Sequence, residues 1–209
     1  MTRLPWMLYH WHPREFEKWK SMPPIREYLL LHCSGRGIFG IDGNDVSWGH
    51  ADRLLFELVM ARHDFSSVVE FGTWKGVTSL YLGVTAAIRG ILFWTFDIRD
   101  FRMDTVKKAW LNNMTFKETD LLTETPNQEV VNAISGDRTL LIVDNGNKEL
   151  ETEKYGSFLK SGSAMIIHDW RTEVRPEVIS PLLSTRGYEC CYESFASHFG
   201  SSCSFWIKK

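Results

Sequence analysis

Apolar residues in this chain follow two rhythms. From Asp45 onward, short β-branched or aromatic runs ending in a polar residue alternate with longer segments whose apolar positions recur at helical spacing. The short runs are "SVVEFG", "ILFWTFD", "MTFKETD", "TLLIVDNG" and "SAMIIHD". They predict strands covered on both faces. Between them, "VTSLYLGVTAAIR", "DTVKKAWLNN", "NQEVVNAIS" and "KELETEKYGSFLK" have helical length. Ahead of the first strand, "DVSWGHADRLLFELVMARH" opens on N-cap residues and carries Leu54, Leu55, Leu58 and Val59 on one helical face. Repetition of strand and helix predicts an α/β fold, Rossmann-like, with a mostly parallel sheet and helices on both faces. After Asp169, a helical "EVRPEVISPLLSTR" leads to the strand-like "YECCYES" and "SCSFWIKK", joined by "FASHFGS". These predict a C-terminal antiparallel strand pair.

Residues 1–45 lack this regularity. They hold Trp6, Trp11 and Trp19, with Pro5, Pro13, Pro23 and Pro24 as breakers, then the glycine-rich "SGRGIFGIDGND". We expect an N-terminal aromatic-rich extension over a domain spanning 46–209, serving as a substrate lid or as a contact between copies in a homo-oligomer.

At 209 residues, 44% apolar and 24% charged, the chain can bury one full core. Its formal charge is −2, with 24 basic and 26 acidic residues mixed along the sequence. That excludes a basic field for nucleic acid and a polybasic membrane segment, and leaves small or neutral partners. No apolar run reaches the roughly 18 residues of a membrane span, and the N-terminus has no signal-like apolar stretch. A cytoplasmic location is the expectation. Cys33, Cys190, Cys191 and Cys203 form no CxxC pair and read as buried free thiols, with Cys190 and Cys191 pointing to opposite faces of a strand.

In an open parallel sheet, ligands collect beyond the carboxyl ends of the strands. The residues terminating the runs are Glu70, Asp97, Asp120, Asp144, His168 and Asp169. Five carboxylates on one edge repel one another; a ligand rich in hydroxyls and amines, or a cation, would reconcile them. The first run turns into its helix through Glu70-Phe71-Gly72-Thr73-Trp74-Lys75-Gly76. Glycines there allow positive φ and close approach of backbone to ligand. The G-x-G-x-x-G spacing of a pyrophosphate loop is absent. An acid two residues before the first glycine suits a cationic amine instead, and Asp97 is placed to accept both hydroxyls of a ribose.

On these residues the chain resembles class I S-adenosylmethionine (SAM)-dependent methyltransferases. "EFGTWKGVTS" is similar to the turn of catechol O-methyltransferase and its relatives. "LLIVDNGNKELETEKYGSFLKSGSAMIIHDW" resembles the metal-dependent branch that includes macrocin O-methyltransferase and cephalosporin hydroxylase-like proteins. The resemblance implies that Glu70, Gly72 and Gly76 surround the methionine portion of SAM, with Thr73 and Trp74 also at the cofactor and Asp97 on the ribose. It implies Asp120 facing the adenine amine, with Leu121 or its backbone against the ring. Asp144, His168 and Asp169 match metal-ligand positions, for Mg²⁺ or Mn²⁺. Relatives carry Asp-Asn, Glu-Asp or Asp-Asp where this chain has His168-Asp169; imidazole in place of oxygen disfavours a hard ion and tolerates Mn²⁺, Zn²⁺ or Fe²⁺.

The implied reaction is methyl transfer to an oxygen or nitrogen of a small molecule. The same three residues are its catalytic candidates: a metal on Asp144 and Asp169 would acidify the acceptor hydroxyl, or His168 would act as base. Asn145 is a secondary substrate contact, and Trp170 a wall of the acceptor pocket or a packing residue. Trp74 would shield the sulfonium side of the pocket or pack under the helix that follows. Two other readings share these residues: a non-catalytic SAM-binding or assembly protein, and a nicotinamide-dependent oxidoreductase, which would want the absent G-x-G-x-x-G.

Overall fold

The computed structural model describes residues 40–41, 44–45 and 48–209. The expected extension, with Cys33 and any contact it makes between copies, therefore lies outside the described residues, apart from a two-residue ladder pairing Gly40–Ile41 with Asn44–Asp45.

Each apolar run forms a strand because its residues are buried alternately on the two sheet faces. The strands are β1 (Ser67–Phe71), β2 (Leu92–Asp97), β3 (Met114–Glu118), β4 (Thr139–Val143), β5 (Ala164–Ile167), β6 (Tyr188–Cys191) and β7 (Ser204–Lys208). Val68, Leu140 and Ile142 enter one core, while Val69, Phe71, Leu141 and Val143 enter the other. That is the period of two expected of a pleated strand covered on both faces. The first core is closed by α1 (His50–Arg62) and α2 (Val77–Ile88) through Leu55, Phe56, Leu80 and Leu82, and by Val106 of the short α3 (Asp104–Lys108). The second is closed by α4 (Gln128–Ile134), α5 (Lys148–Tyr155) and α6 (Pro176–Thr185) through Ile134, Tyr155 and Leu183. Each fully buried Leu or Phe contributes about 2 kcal/mol of transfer free energy.

The seven strands run in the order β3-β2-β1-β4-β5-β7-β6. β1 through β5 are parallel, and β7 is antiparallel to both β5 and β6. The last strand in sequence thus inserts between β5 and the β6 edge. Strand order reverses between β1 and β4, which opens a crevice at their carboxyl ends. No helix among the described residues is long and apolar enough to cross a membrane.

The segment "FASHFGS", expected only to join the last strands, contains a helix, α7 (Glu193–Phe199), between left-handed Tyr192 (φ 60°) and Gly200 (φ 70°). It has no buried residue, so no core-facing stripe marked it in the sequence. Its hold on the domain includes Tyr192, whose hydroxyl hydrogen-bonds His63 at 3.0 Å at the end of α1. Cys190 packs toward one core and Cys191 toward the other, and Cys203 is buried; all three are free thiols.

Candidate functional site

Alternation along β1 turns Glu70 toward α2, where it is wholly buried. Its Oε2 accepts from Ser79 Oγ at 2.5 Å and Thr95 Oγ1 at 2.6 Å, whereas Oε1 has no hydrogen-bond partner among the described residues. Burial pushes the carboxyl up to about 8 against the pull of the Ser79 and Thr95 bonds, with the Asp144 and Asp97 charges adding to the rise. A carboxyl raised that far favours its protonated form near neutral pH. Thr73 joins the same network through a 2.6 Å hydroxyl contact with Thr95.

The glycines of the turn are required by the chain itself. A Cβ on Gly72 (φ 97°) would lie 2.4 Å from the carbonyl oxygen of Asp144, and one on Gly76 (φ 79°) 2.8 Å from Val106. The turn therefore rests directly on the end of β4. Between them Trp74 takes φ 47°, and its ring is 60% exposed, 5.3 Å from that of Phe101, so it is not packed under α2. The Trp74 backbone N–H donates to Asp97 Oδ2 at 2.7 Å, and the Ile98 backbone N–H donates to Oδ1 at 2.7 Å. Each carboxylate oxygen of the buried Asp97 retains a lone pair. Asp120 stands two residues beyond β3, exposed, accepting from the Leu122 N–H at 2.9 Å. Leu121 is turned into the second core, while Ile98 and Leu122, the apolar residues beside Asp97 and Leu121, are exposed. Ile98 was legible as the apolar residue following the second acid.

The other half of the edge is built from β4 and β5. Asp144 Oδ1 lies 2.8 Å from His168 Nδ1, and Oδ2 accepts from Trp48 Nε1 at 2.7 Å. The Trp48 ring stacks on the imidazole at 5.5 Å. The far nitrogen, His168 Nε2, faces Asp52 Oδ2 of α1 at 3.9 Å. Asp52 Oδ1 is itself held by the Ser201 hydroxyl and by the Ser202 N–H and hydroxyl. Burial works against a charge on His168, but the Asp144 hydrogen bond and the Asp144, Asp169 and Asp52 charges outweigh it, and its pKa rises. Asp169 (φ 54°) places Oδ2 3.3 Å from His168 Nδ1 and 3.0 Å from Lys148 Nζ; Lys148 also reaches Glu173 at 2.7 Å. Asn145 donates to Glu151 Oε1 at 2.9 Å, and burial pushes this wholly buried carboxyl up to about 7, against the Asn145 bond.

Asp144, His168 and Asp169, expected together as metal ligands, are together: each offers an atom within 4.8 Å of the others. The atoms do not fit an ion as they stand. Nδ1 lies 2.8 Å from Asp144 Oδ1, and an ionised carboxylate only accepts, so with Asp144 ionised the nitrogen donates its proton there and keeps no lone pair for an ion, while an ammonium already sits on Asp169. A second grouping of His168 with Asp52 and Cys203 fits no better, because burial and then Asp52 hold the Cys203 thiol protonated. Trp170 lines a cleft of 190 Å³ with Trp206, Glu193 and Cys203, which neither Asp144 nor His168 borders. Sequence reasoning missed Trp48, Asp52, Lys148 and Glu151. The available signal was Lys148 itself, a cation at the first position of a helix, where the helix dipole disfavours one.

No protein-family model matches the chain, and no curated protein matches it. Solved structures do. CmcI, in one structure with SAH and in another with Mg and SAM, superposes with a TM-score of 0.58 at 13% identity, covering 84% of this chain and 84% and 79% of those chains. Precorrin-6y C5,15-methyltransferase from Geobacter metallireducens gives 0.54 at 14% identity, over 78% of this chain and 83% of that one. The fibrillarin pre-rRNA processing protein of Methanococcus jannaschii gives 0.52 at 16%, over 82% and 81%. What such identities share is architecture: this chain has the Rossmann-like fold of class I SAM-dependent methyltransferases.

Proposed function

We propose that the chain is a SAM-dependent methyltransferase that O-methylates a small-molecule acceptor. The observation carrying this reading is Glu70, a buried carboxyl beneath the glycine turn, pushed up to about 8, whose Oε1 lacks a partner. A cationic amine at Oε1 would complete its hydrogen bonding and return it to the carboxylate. The amino group of SAM has that chemistry. Asp97 keeps a lone pair on each oxygen for ribose hydroxyls, while Ile98 and Leu122 offer apolar surface for a purine and Asp120 an acceptor for its amine. Gly72, Thr73, Trp74 and Gly76 would bound the methionine portion.

Bound there, SAM supplies a methyl group on a sulfonium leaving group. The chain's own contribution is to position the acceptor and take its proton. Asp169, 29% exposed, is the open member of the couple and would receive the acceptor hydroxyl. Because Asp144 fixes the Nδ1 proton, a base role for His168 would fall to Nε2, the nitrogen that faces Asp52 at 3.9 Å, and the surrounding carboxylates would stabilise the imidazolium. No step runs through a metal. The formal charge of −2 favours a small acceptor over RNA, although fibrillarin shares the fold.

A second reading has its own observation. His168 is 6% exposed with both nitrogens facing carboxylates, which suits a structural pin in a SAM-binding protein without turnover. Labelled methyl release over a panel of hydroxylated small molecules separates the two. The transferase reading expects turnover with at least one acceptor, lowered about 100-fold in His168→Gln, the usual size of a lost general base, with SAH affinity retained. SAH binding without turnover on any acceptor selects the second reading.

A further inference from the structure

Lys148 opens α5 from a position where the helix dipole opposes its charge, and its side chain is only 6% exposed. An ammonium so placed is tolerated only when anions hold it. Two do so directly: Asp169 Oδ2 at 3.0 Å and Glu173 Oε2 at 2.7 Å, with Asp144 adding its charge. Asp144 is otherwise satisfied by neighbours, Trp48 on one oxygen and His168 on the other. The repulsion expected among acids at this edge is thus relieved by cations the chain provides. The arrangement joins three segments: Lys148 from the helix after β4, and Asp169 and Glu173 from either end of the turn after β5.

We propose that Lys148 is the built-in cation of this edge, its ammonium taking the place a divalent ion would need beside Asp144 and Asp169, so that the site balances its charge without a metal. Two geometric facts carry this. The ammonium lies 3.0 Å from Asp169 Oδ2, the same oxygen that faces His168, and a 2.7 Å bond to Glu173 holds it there. A divalent ion entering here would meet an ammonium a few ångströms off and be repelled. The inference goes beyond the transferase reading and does not depend on it.

Mn²⁺ titration followed by electron paramagnetic resonance tests it, on the whole chain and on Lys148→Met, with SAH titrated into the same samples as a separate readout of the cofactor side. Wild type is expected to take up no Mn²⁺ at this edge. Lys148→Met, with its carboxylates left unbalanced, is expected to bind one equivalent at least about tenfold more tightly, the order expected when a like charge a few ångströms away is removed. That uptake should disappear when Asp169→Asn is added. A Lys148→Met chain that folds only with Mn²⁺ present supports the proposal equally; one that Mn²⁺ does not rescue while Lys148→Arg folds overturns it. Stoichiometric Mn²⁺ binding by wild type that Asp169→Asn abolishes overturns it. So does the absence of uptake in both wild type and folded Lys148→Met, since the ammonium would then not be what excludes the ion. Loss of SAH binding in wild type would strike the transferase reading and leave the Mn²⁺ result standing.

Discussion

The two halves of the sheet's carboxyl edge treat their acids in opposite ways. On the β1–β2 side, Glu70 has an oxygen with no partner, and Asp97 holds one backbone N–H on each oxygen with capacity to spare. On the β4–β5 side, both Asp144 oxygens are engaged, and Asp169 carries an ammonium. One half has acceptor capacity that the proposed cationic, hydroxyl-bearing ligand would use; the other is balanced by the chain's own groups. On the proposed reading, a row of strand-end acids has two separate explanations, a ligand on one side and internal cations on the other.

The largest effect is expected where the halves touch. Gly72→Ala drives a Cβ into the Asp144 carbonyl and strains a φ of 97°, so a loss of about 3 kcal/mol or more is expected in urea unfolding, with SAH binding abolished. A loss under about 1 kcal/mol would show that the turn does not rest on β4. Asp52→Ala comes next. It strips the Ser201 and Ser202 bonds and the carboxylate facing His168, for about 2–4 kcal/mol, and should leave SAH affinity nearly unchanged because it lies on the balanced side.

Glu70→Gln should invert that pattern. It mimics the protonated carboxyl, so stability at neutral pH is kept, while SAH affinity falls about 10- to 100-fold through loss of a charge-assisted hydrogen bond. The pH dependence follows with a definite sign. Between 4.5, the ordinary value, and about 8, the folded chain retains a proton on Glu70 that the unfolded chain has lost. Glu70's contribution to stability is therefore full below 4.5 and declines as pH rises toward 8. Glu151, pushed up to about 7, acts in the same direction, so Glu70→Gln should flatten the decline in Tm without removing it. The smallest effect belongs to Trp74→Gly, which trades an exposed ring for relief of a left-handed backbone; stability should move by less than about 1 kcal/mol in either direction.

Legibility in the sequence follows the same division. Strand and helix order and the turn from Glu70 to Gly76 could be read because each is written locally, in a period or a spacing. The balanced half could not. Trp48 meets Asp144 96 positions away, and Asp52 meets Ser202 150 positions away, so nothing in either segment names its partner. Gly72 illustrates a partial reading: the glycine was visible as a turn residue, but the atom that forbids a side chain there, the Asp144 carbonyl, belongs to another strand. Helix α7 escaped notice because it buries none of its residues, and Leu121 fills the core although its neighbours at the strand end face outward.

Calorimetric titration of SAH at pH 7, repeated in buffers of differing ionisation enthalpy, tests the central claim most directly. Since Glu70 holds a proton in the free chain and must surrender it to pair with an ammonium, binding should release close to one proton, and Glu70→Gln should bind more weakly and release none. Folded wild-type protein that shows no SAH binding, or that binds it with no proton released, would contradict the account.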